Sequence, residues 1–331
     1  MTSSLSRRRV LAAAGTLAVT SAIPATAEPT RLTLAVSSNT LAYGGLRIAE
    51  AAKLFGRHGI EPRIVVMDSG NAAIAAVLSG SAEFSSSGPG EVLAARARGQ
   101  KVVIVTNLYR GLSGSVVLAK AVAAKLGDPG TMPVGRRIEA LNGLTIATPS
   151  PTSAYTHPIK SAAEAAKASV RFVYMAQPAM VAALGAGAVQ GMIAGAPFSV
   201  AAVSNGSGVL WLSGPRGDLP KEFEPASSAC LQTSEAYAGA HPEIVARLRA
   251  VFADLASFIA DRPDDAKALL GAAYPQLDPP TLSAIFTQDA RNWTQPVMTE
   301  DQIRQEIAIQ VSTGTVPGVD RIPPASVLWP A

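Results

Sequence analysis

Short polar residues and glycines follow the apolar runs of this sequence at regular intervals. Hydroxyl and amide groups donate and accept hydrogen bonds, and glycine lets backbone N–H groups approach a ligand closely. This chemistry is typical of noncovalent binding of a small molecule. The candidate ligand-binding residues, each just after a predicted strand or near the start of the next helix, are Ser38, Asn39, Tyr43, Gly70, Asn71, Ser87, Gly88, Arg110, Ser150, Thr152, Ser153, Tyr155 and Pro197.

Several of these candidates also have a purely structural interpretation. Ser38, Asn39 and Ser153 are equally suited to capping the N-termini of helices. Tyr43 and Tyr155 either form walls of a cleft or pack as half-buried residues beside it. Both interpretations stay open at the level of the sequence.

Arg110 is the candidate that bears most on the charge of the ligand. Its guanidinium is suited to two-point pairing with a carboxylate or sulfonate, and the alternative is a solvated loop arginine. Helix N-termini at the ends of strands also suit an anion. The sequence therefore favours a small organic anion such as a sulfonate as the ligand, with small carboxylates and neutral heterocycles as alternatives.

Reactive groups for catalysis are scarce. Cys230 is the only cysteine, which excludes an intramolecular disulfide and a cysteine-based metal site. Its apolar surroundings in the sequence favour a buried structural role over a nucleophile. Metalloprotease, nucleophile-elbow, P-loop and dinucleotide motifs do not occur in a suitable context. We expect no catalytic residue, no metal and no cofactor, and a protein that is not an enzyme.

The composition indicates a large folded core and little electrostatic attraction to polyanions. The 331 residues are 48% hydrophobic and 16% charged, which is unlike a disordered chain. The net charge of +4 includes three arginines in a segment expected to be removed. Without them the 28 basic residues become 25 against 24 acidic ones, a net charge of +1. Neither nucleic acid nor an anionic membrane surface is a predicted partner.

The first residues have the pattern of an export signal. Three arginines at positions 7–9 precede an apolar run at 10–19, and Ala25-Thr26-Ala27 has small residues where a signal peptidase cleaves. The arginines also resemble a twin-arginine signal. A membrane anchor is the weaker interpretation, because the run is shorter than the ~20 residues that span a bilayer. We expect residues 1–27 to be removed and the mature protein to be soluble in the periplasm.

Strand-like and helix-like patterns alternate from residue 31 onward, which predicts an α/β fold with mostly parallel sheets. One helix is predicted over residues 44–57. The order then restarts: residues 144–148 repeat the pattern of 32–36, and 182–190 repeat that of 75–83. Two similar lobes are therefore predicted. Further helices, beginning with a strongly periodic one at 241–259, are predicted to pack on the lobes rather than form a separate domain.

Four stretches resemble the nitrate/sulfonate/taurine-type ABC solute-binding proteins in their motifs and in their order. They are residues 44–62, 76–84, 138–146 and 182–190. The resemblance extends over about residues 31–318. In the family's repeated element "AL-x-x-G-x-x-D", the acidic position is Glu83 in the first copy and Gln190 in the second. The second copy therefore lacks the acidic side chain of the family's element.

The resemblance implies a periplasmic-binding-protein type II fold. The first lobe would hold residues 31–115 and 227–331, and the second residues 116–226, with ligand bound between lobes that close around it. The implied partners are a small molecule and the membrane permease of an ABC importer, with the protein itself a monomer. Two alternatives remain: an enzyme on the same fold, resembling a cysteine-dependent desulfinase or a pyrimidine synthase, or the ligand-sensing subunit of a receptor.

Overall fold

The computed structural model describes residues 28–330, so the predicted export signal lies outside the described residues. The strands are β1 (Thr30–Val36), β2 (Ile60–Val66), β3 (Phe84–Ser87), β4 (Val102–Arg110), β5 (Gly114–Ala119), β6 (Thr145–Thr148), β7 (Arg171–Tyr174), β8 (Gly191–Gly195), β9 (Gly208–Ser213) and β10 (Ser227–Ser234). The α-helices are α1 (Gly44–Ala51), α2 (Leu54–Arg57), α3 (Gly70–Leu78), α4 (Pro89–Ala97), α5 (Lys120–Leu126), α6 (Val134–Glu139), α7 (Thr156–Ala165), α8 (Gln177–Gly185), α9 (Phe198–Ser204), α10 (Glu235–Ala240), α11 (Pro242–Asp261), α12 (Pro263–Ala273), α13 (Pro279–Trp293), α14 (Glu300–Ser312) and α15 (Pro324–Val327).

Two five-stranded sheets form the framework, and both have the same arrangement of strands. The first has the order β2-β1-β3-β10-β4 and the second the order β7-β6-β8-β5-β9. In each sheet the fourth strand, β10 or β5, runs antiparallel to both of its neighbours, whereas the first three strands are parallel. The predicted α/β class is confirmed. The predicted repeat is confirmed as well, because β1 and β6, α3 and α8, and β3 and β8 occupy equivalent places.

The chain crosses between the sheets twice. It passes from β4 to β5 through residues 111–113, a few residues before the predicted boundary, and returns from β9 to β10 through residues 214–226. The reversed strand of each sheet is therefore the one that the chain reaches by crossing. We refer to the first sheet with α1–α4 and α10–α15 as the first lobe, and to the second sheet with α5–α9 as the second lobe.

The C-terminal helices pack on the first lobe. The largest cluster of buried apolar side chains joins β1 and β4 to α11, α12 and α13, and includes Phe252 and Trp293. The indole Nε1 of Trp293 donates to the carbonyl oxygen of Leu41 at 3.0 Å, so its polar atom is satisfied in the core. The prediction that these helices pack on the lobes is confirmed. No helix formed by residues 28–330 combines the length and hydropathy needed to cross a bilayer.

The single helix predicted over residues 44–57 is wrong, because α1 ends at Ala51 and α2 begins at Leu54. Lys53, between them, has a left-handed backbone with φ of 56°, a conformation that interrupts a right-handed helix. The change of direction buries Leu54 and Phe55, which are 0% and 1% exposed. Phe55 meets Phe252 of α11 edge to face, with ring centroids 6.2 Å apart.

Candidate functional site

A cavity of about 140 Å³ lies between the lobes, where the parallel strands of both sheets end. The first lobe contributes the loops that follow β1, β2 and β3. The second lobe contributes the loops that follow β6, β7 and β8. Ligands of open α/β sheets bind outside the carboxyl ends of the strands, so this cavity is the candidate site.

The structure brings seven of the predicted residues together in the lining of this cavity. They are Ser38, Asn39, Tyr43, Gly70, Gly88, Ser153 and Tyr155. The remaining walls are largely apolar and include Val66, Met67, Pro149, Ala176 and Phe198. The cavity therefore suits a small molecule with an apolar body.

The other six predicted residues do not line the cavity. Asn71 is exposed on α3, and the Ser87 hydroxyl is hydrogen-bonded to the side-chain amide of Gln232. Ser150 and Thr152 are buried, and Pro197 precedes α9. The remaining residue is Arg110.

Arg110 ends β4, an edge strand of the first sheet. Its side chain is exposed, and its guanidinium donates to Oε1 of Gln295 in the segment after α13. Two-point binding of an anionic ligand by Arg110 in this cavity therefore has no geometric support.

Both tyrosines of the lining are buried, and their hydroxyls are bound to protein groups. Tyr43 Oη lies 2.7 Å from Ser37 Oγ and donates to the Ser86 carbonyl oxygen at 3.1 Å. Tyr155 Oη lies 2.9 Å from Ser113 Oγ. Burial raises the pKa of both phenols, so they are neutral. These tyrosines form walls rather than charged contacts.

Ser153, in the lining, stabilises the turn that leads into α7, whose N-cap residue is Tyr155. Ser153 Oγ accepts the N–H groups of Tyr155 and Thr156 at 3.3 Å, at the start of α7. Ser38 and Asn39 make other bonds: the Ser38 hydroxyl lies 3.1 Å from Thr40 Oγ1, and Asn39 Oδ1 accepts from Arg47. The polar side-chain atoms of Ser38, Asn39 and Ser153 are thus hydrogen-bonded to other groups of the protein.

Glu91, in the first turn of α4, is a site residue that the sequence analysis missed. It is 3% exposed and lines the cavity. Burial, and secondarily the charge of Glu306, raises the pKa of Glu91 to about 8. An acidic residue in a first helical turn is ordinarily a solvated partner of the helix dipole. The sequence signal that could have identified Glu91 is its position in the first helical turn after the loop Ser87-Gly88-Pro89.

A buried polar cluster holds the lobes together beside the cavity. His157 of α7 places Nε2 2.5 Å from Oε1 of Glu306 of α14, and both side chains are 0% exposed. The carboxamide of Gln310, also on α14, has no hydrogen-bond partner among the described residues. Gly90 of α4 fits against this cluster, because a Cβ there would lie 2.6 Å from the carbonyl oxygen of Thr152. The two lobes therefore approach each other as closely as glycine permits.

Cys230 is buried on β10 behind the site. Its side chain is 0% exposed, and burial raises the pKa of the thiol well above its ordinary value, with Glu91 and Glu306 adding to the shift. A thiol in this state is not a nucleophile at neutral pH. Groups of three or more metal-binding side chains do not occur within residues 28–330.

Comparisons with known proteins agree with this architecture. Residues 25–273 match the sequence model of the NMT1-like family. The alkanesulfonate-binding protein SsuA from Xanthomonas axonopodis pv. citri, bound to MOPS, is 17% identical with a TM-score of 0.73, over 92% of this chain and 100% of that one. The aliphatic sulphonate binding protein SsuA from Escherichia coli is 15% identical with a TM-score of 0.66, over 91% and 98%.

A third structure has a different ligand in its name. The nitrate-binding protein NrtA from Synechocystis PCC 6803 is 12% identical with a TM-score of 0.64, over 89% of this chain and 86% of that one. At these identities the likeness is one of fold. No curated protein matches the sequence.

Proposed function

The chain belongs to the NMT1-like family, and from this premise we propose that it is a solute-binding protein that delivers a small molecule to an ABC importer. The observation that carries the proposal is the cavity between the lobes, lined by loops from both sheets. A ligand that contacts both lobes stabilises the closed arrangement, because it binds that arrangement better than the open one.

The similar structures support this function through their names, which are those of sulfonate- and nitrate-binding proteins. We further propose that residues 1–27 direct export to the periplasm and are removed, and that the mature protein is a monomer of two lobes. The sequence predicted residues 31–115 and 227–331 in one lobe and 116–226 in the other, and we place the boundaries at the crossings through residues 111–113 and 214–226. The partner would be the permease of the importer.

The two alternative functions differ in their support. A thiol-dependent enzyme is disfavoured because Cys230 is buried and outside the cavity lining. A sensor subunit would have the same cavity and the same ligand chemistry. Capture of the permease, rather than of a receptor, by the ligand-bound protein separates transport from sensing.

The test is a thermal-shift screen of the protein from Glu28 onward, with mass spectrometry of the denatured protein to detect a ligand carried through purification. A compound at 100 times its Kd stabilises the protein by about 2.7 kcal/mol, a shift of several degrees. Ala176→Trp, which fills the cavity, should abolish that shift. Ala121→Trp, an exposed alanine of α5, is the matched control and should retain it. Absence of both a shift and a carried ligand would contradict the proposal.

A further inference from the structure

The charged side chains in the cavity lining are all acidic. Glu91 lies inside, and Asp68 lies exposed in the loop after β2. Among the described residues that line the cavity there is no lysine, arginine or histidine. A cationic ligand therefore finds an acidic partner in this lining, whereas an anionic ligand finds no cationic one.

Glu91 fills the space between two helix starts at the cavity. Its carboxyl group lies between the starts of α3 and α4: a Cβ on Gly70 would be 2.6 Å from Oε1, and a Cβ on Gly88 would be 3.1 Å from Oε2. Helix N-termini bind anions through their N–H groups and dipoles. Here the carboxyl group of Glu91 fills that space, so a sulfonate or nitrate could reach these two helix ends only if Glu91 moved.

The carboxyl group of Glu91 has an unused bonding capacity. Oε2 is buried and lies within hydrogen-bonding geometry of no donor among the described residues, although the backbone N–H groups of Gly88 and Glu91 are close enough to the carboxyl group to lower its pKa. Buried polar atoms are nearly always hydrogen-bonded, so this oxygen, at the wall of a ligand-sized cavity, is free to accept from a ligand or a water. The charge of Glu306, which has the same sign, raises the pKa of Glu91 further, and no lysine, arginine or histidine stands in the described lining of the cavity to compensate it.

On the basis of the proposed function, we infer that Glu91 is a ligand-binding residue and that the ligand is a small molecule with an apolar body and an N–H donor group. An ammonium or amidinium group would form a charge-assisted hydrogen bond with the carboxylate, and a neutral amide N–H would form a weaker one. The apolar walls, including Met67 and Phe198, receive the body. Small anions are disfavoured at this site.

The protonation state of Glu91 gives a second signature of the same contact. Burial raises its pKa to about 8, and the groups that face it are Glu306, Tyr43, Tyr155 and Cys230. None of these is a cation, and the basic side chain of the neighbouring polar cluster, His157, lies against Glu306. At pH 7 the empty protein therefore holds a proton on Glu91, and a cationic ligand lowers the pKa and releases that proton. An anionic ligand releases none.

The experiment uses two series of probes that share a body and differ in charge: acetamidine, acetamide and acetate, and benzamidine, benzamide and benzoate. Methanesulfonate and benzenesulfonate complete the anionic set. Calorimetric titration at pH 7, in buffers of different ionisation enthalpy, gives the affinity and the protons released. We expect an amidine to bind most tightly and to release close to one proton. Glu91→Gln should weaken amidine binding at least tenfold.

A matched variant separates the loss of this carboxylate from a general change of charge. Glu139→Gln removes an exposed carboxylate of α6, distant from the cavity, and should leave amidine binding unchanged. Thermal unfolding of Glu91→Gln checks that the variant is folded. Preferential binding of a carboxylate or sulfonate probe would overturn the inference while leaving the proposed function intact. An amidine affinity unaffected by Glu91→Gln would overturn it too. If no probe of any charge binds and no ligand is carried through purification, both proposals fall.

Discussion

Gly90→Ala tests whether ligand binding depends on the contact between the lobes. Gly90 is in the first turn of α4, in the first lobe. A Cβ there would lie 2.6 Å from the carbonyl oxygen of Thr152 and 2.9 Å from Cε1 of His157, both in the second lobe, and would also meet Nε2 of Gln310. The Gln310 amide is the end of a flexible side chain. The Thr152 carbonyl is backbone, so the overlap with it is relieved only when the lobes separate.

The size of the effect follows from this overlap. Overpacking of a tight interior costs about 1–3 kcal/mol. If that cost falls on the closed arrangement alone, the ligand affinity decreases roughly 5- to 150-fold, since each 1.4 kcal/mol is a factor of ten. Within α4 the change is not unfavourable, because alanine is favoured over glycine within a helix by about 1 kcal/mol. Inside the first lobe the cost is limited to moving the flexible Gln310 side chain.

The assay is the Kd of any ligand found in the thermal-shift screen, together with small-angle scattering of the empty and saturated protein. Gly135→Ala is the control: Gly135 is in α6 of the second lobe, and a Cβ there meets nothing within 4 Å. We expect the control to bind normally and to be slightly more stable. Unchanged affinity and unchanged scattering for Gly90→Ala would refute the reasoning that the lobes must meet at this glycine.

Three further predictions concern single side chains. Glu91→Gln should raise the melting temperature relative to wild type more at pH 9 than at pH 5. The pKa of Glu91 is about 8 in the folded protein and 4.5 in an unfolded chain, so between these pH values the folded protein holds an extra proton. The stability of the wild type therefore falls as the pH rises from 4.5 to 8. Equal differences in melting temperature at pH 5 and pH 9 would contradict the burial argument. Cys230 should resist a thiol reagent in the native protein and react fully in denaturant, whereas rapid native reaction would show an accessible thiol. Arg110→Ala should leave the ligand Kd unchanged, because the Arg110 guanidinium is bound to Gln295 outside the cavity lining. A tenfold loss of ligand affinity would show that Arg110 does contribute to the binding site.

The sequence predicted the features that depend on local periodicity. Short apolar runs at residues 32–36 and 144–148 became the equivalent strands β1 and β6, and the periodic stretch at 241–259 became α11. These predictions succeed because the alternation of apolar residues reflects which face of a strand or helix is buried. The break between α1 and α2 at Lys53 was not predicted. A left-handed conformation at a single residue does not change the spacing of apolar residues in the sequence.

The position of Arg110 escaped prediction for a different reason. A residue that ends a strand was assumed to face the cleft. In the structure β10, which follows β4 by more than a hundred residues in the chain, inserts between β3 and β4. This insertion moves β4 to the edge of the sheet and takes Arg110 away from the parallel strands whose loops line the cavity. Strand order is a long-range property, so no local pattern around Arg110 reports it.

The first turn of α4 connects the nature of the ligand to the contact between the lobes. Gly90 meets the second lobe at Thr152 and His157, and the next residue, Glu91, faces the ligand cavity. A donor group that binds the Glu91 carboxyl therefore fixes the same turn of helix that must fit against the second lobe. An empty cavity leaves that buried carboxyl without a partner, which is unfavourable in the closed arrangement and is relieved by water when the lobes open. The one interaction thus favours closure with ligand and opening without it.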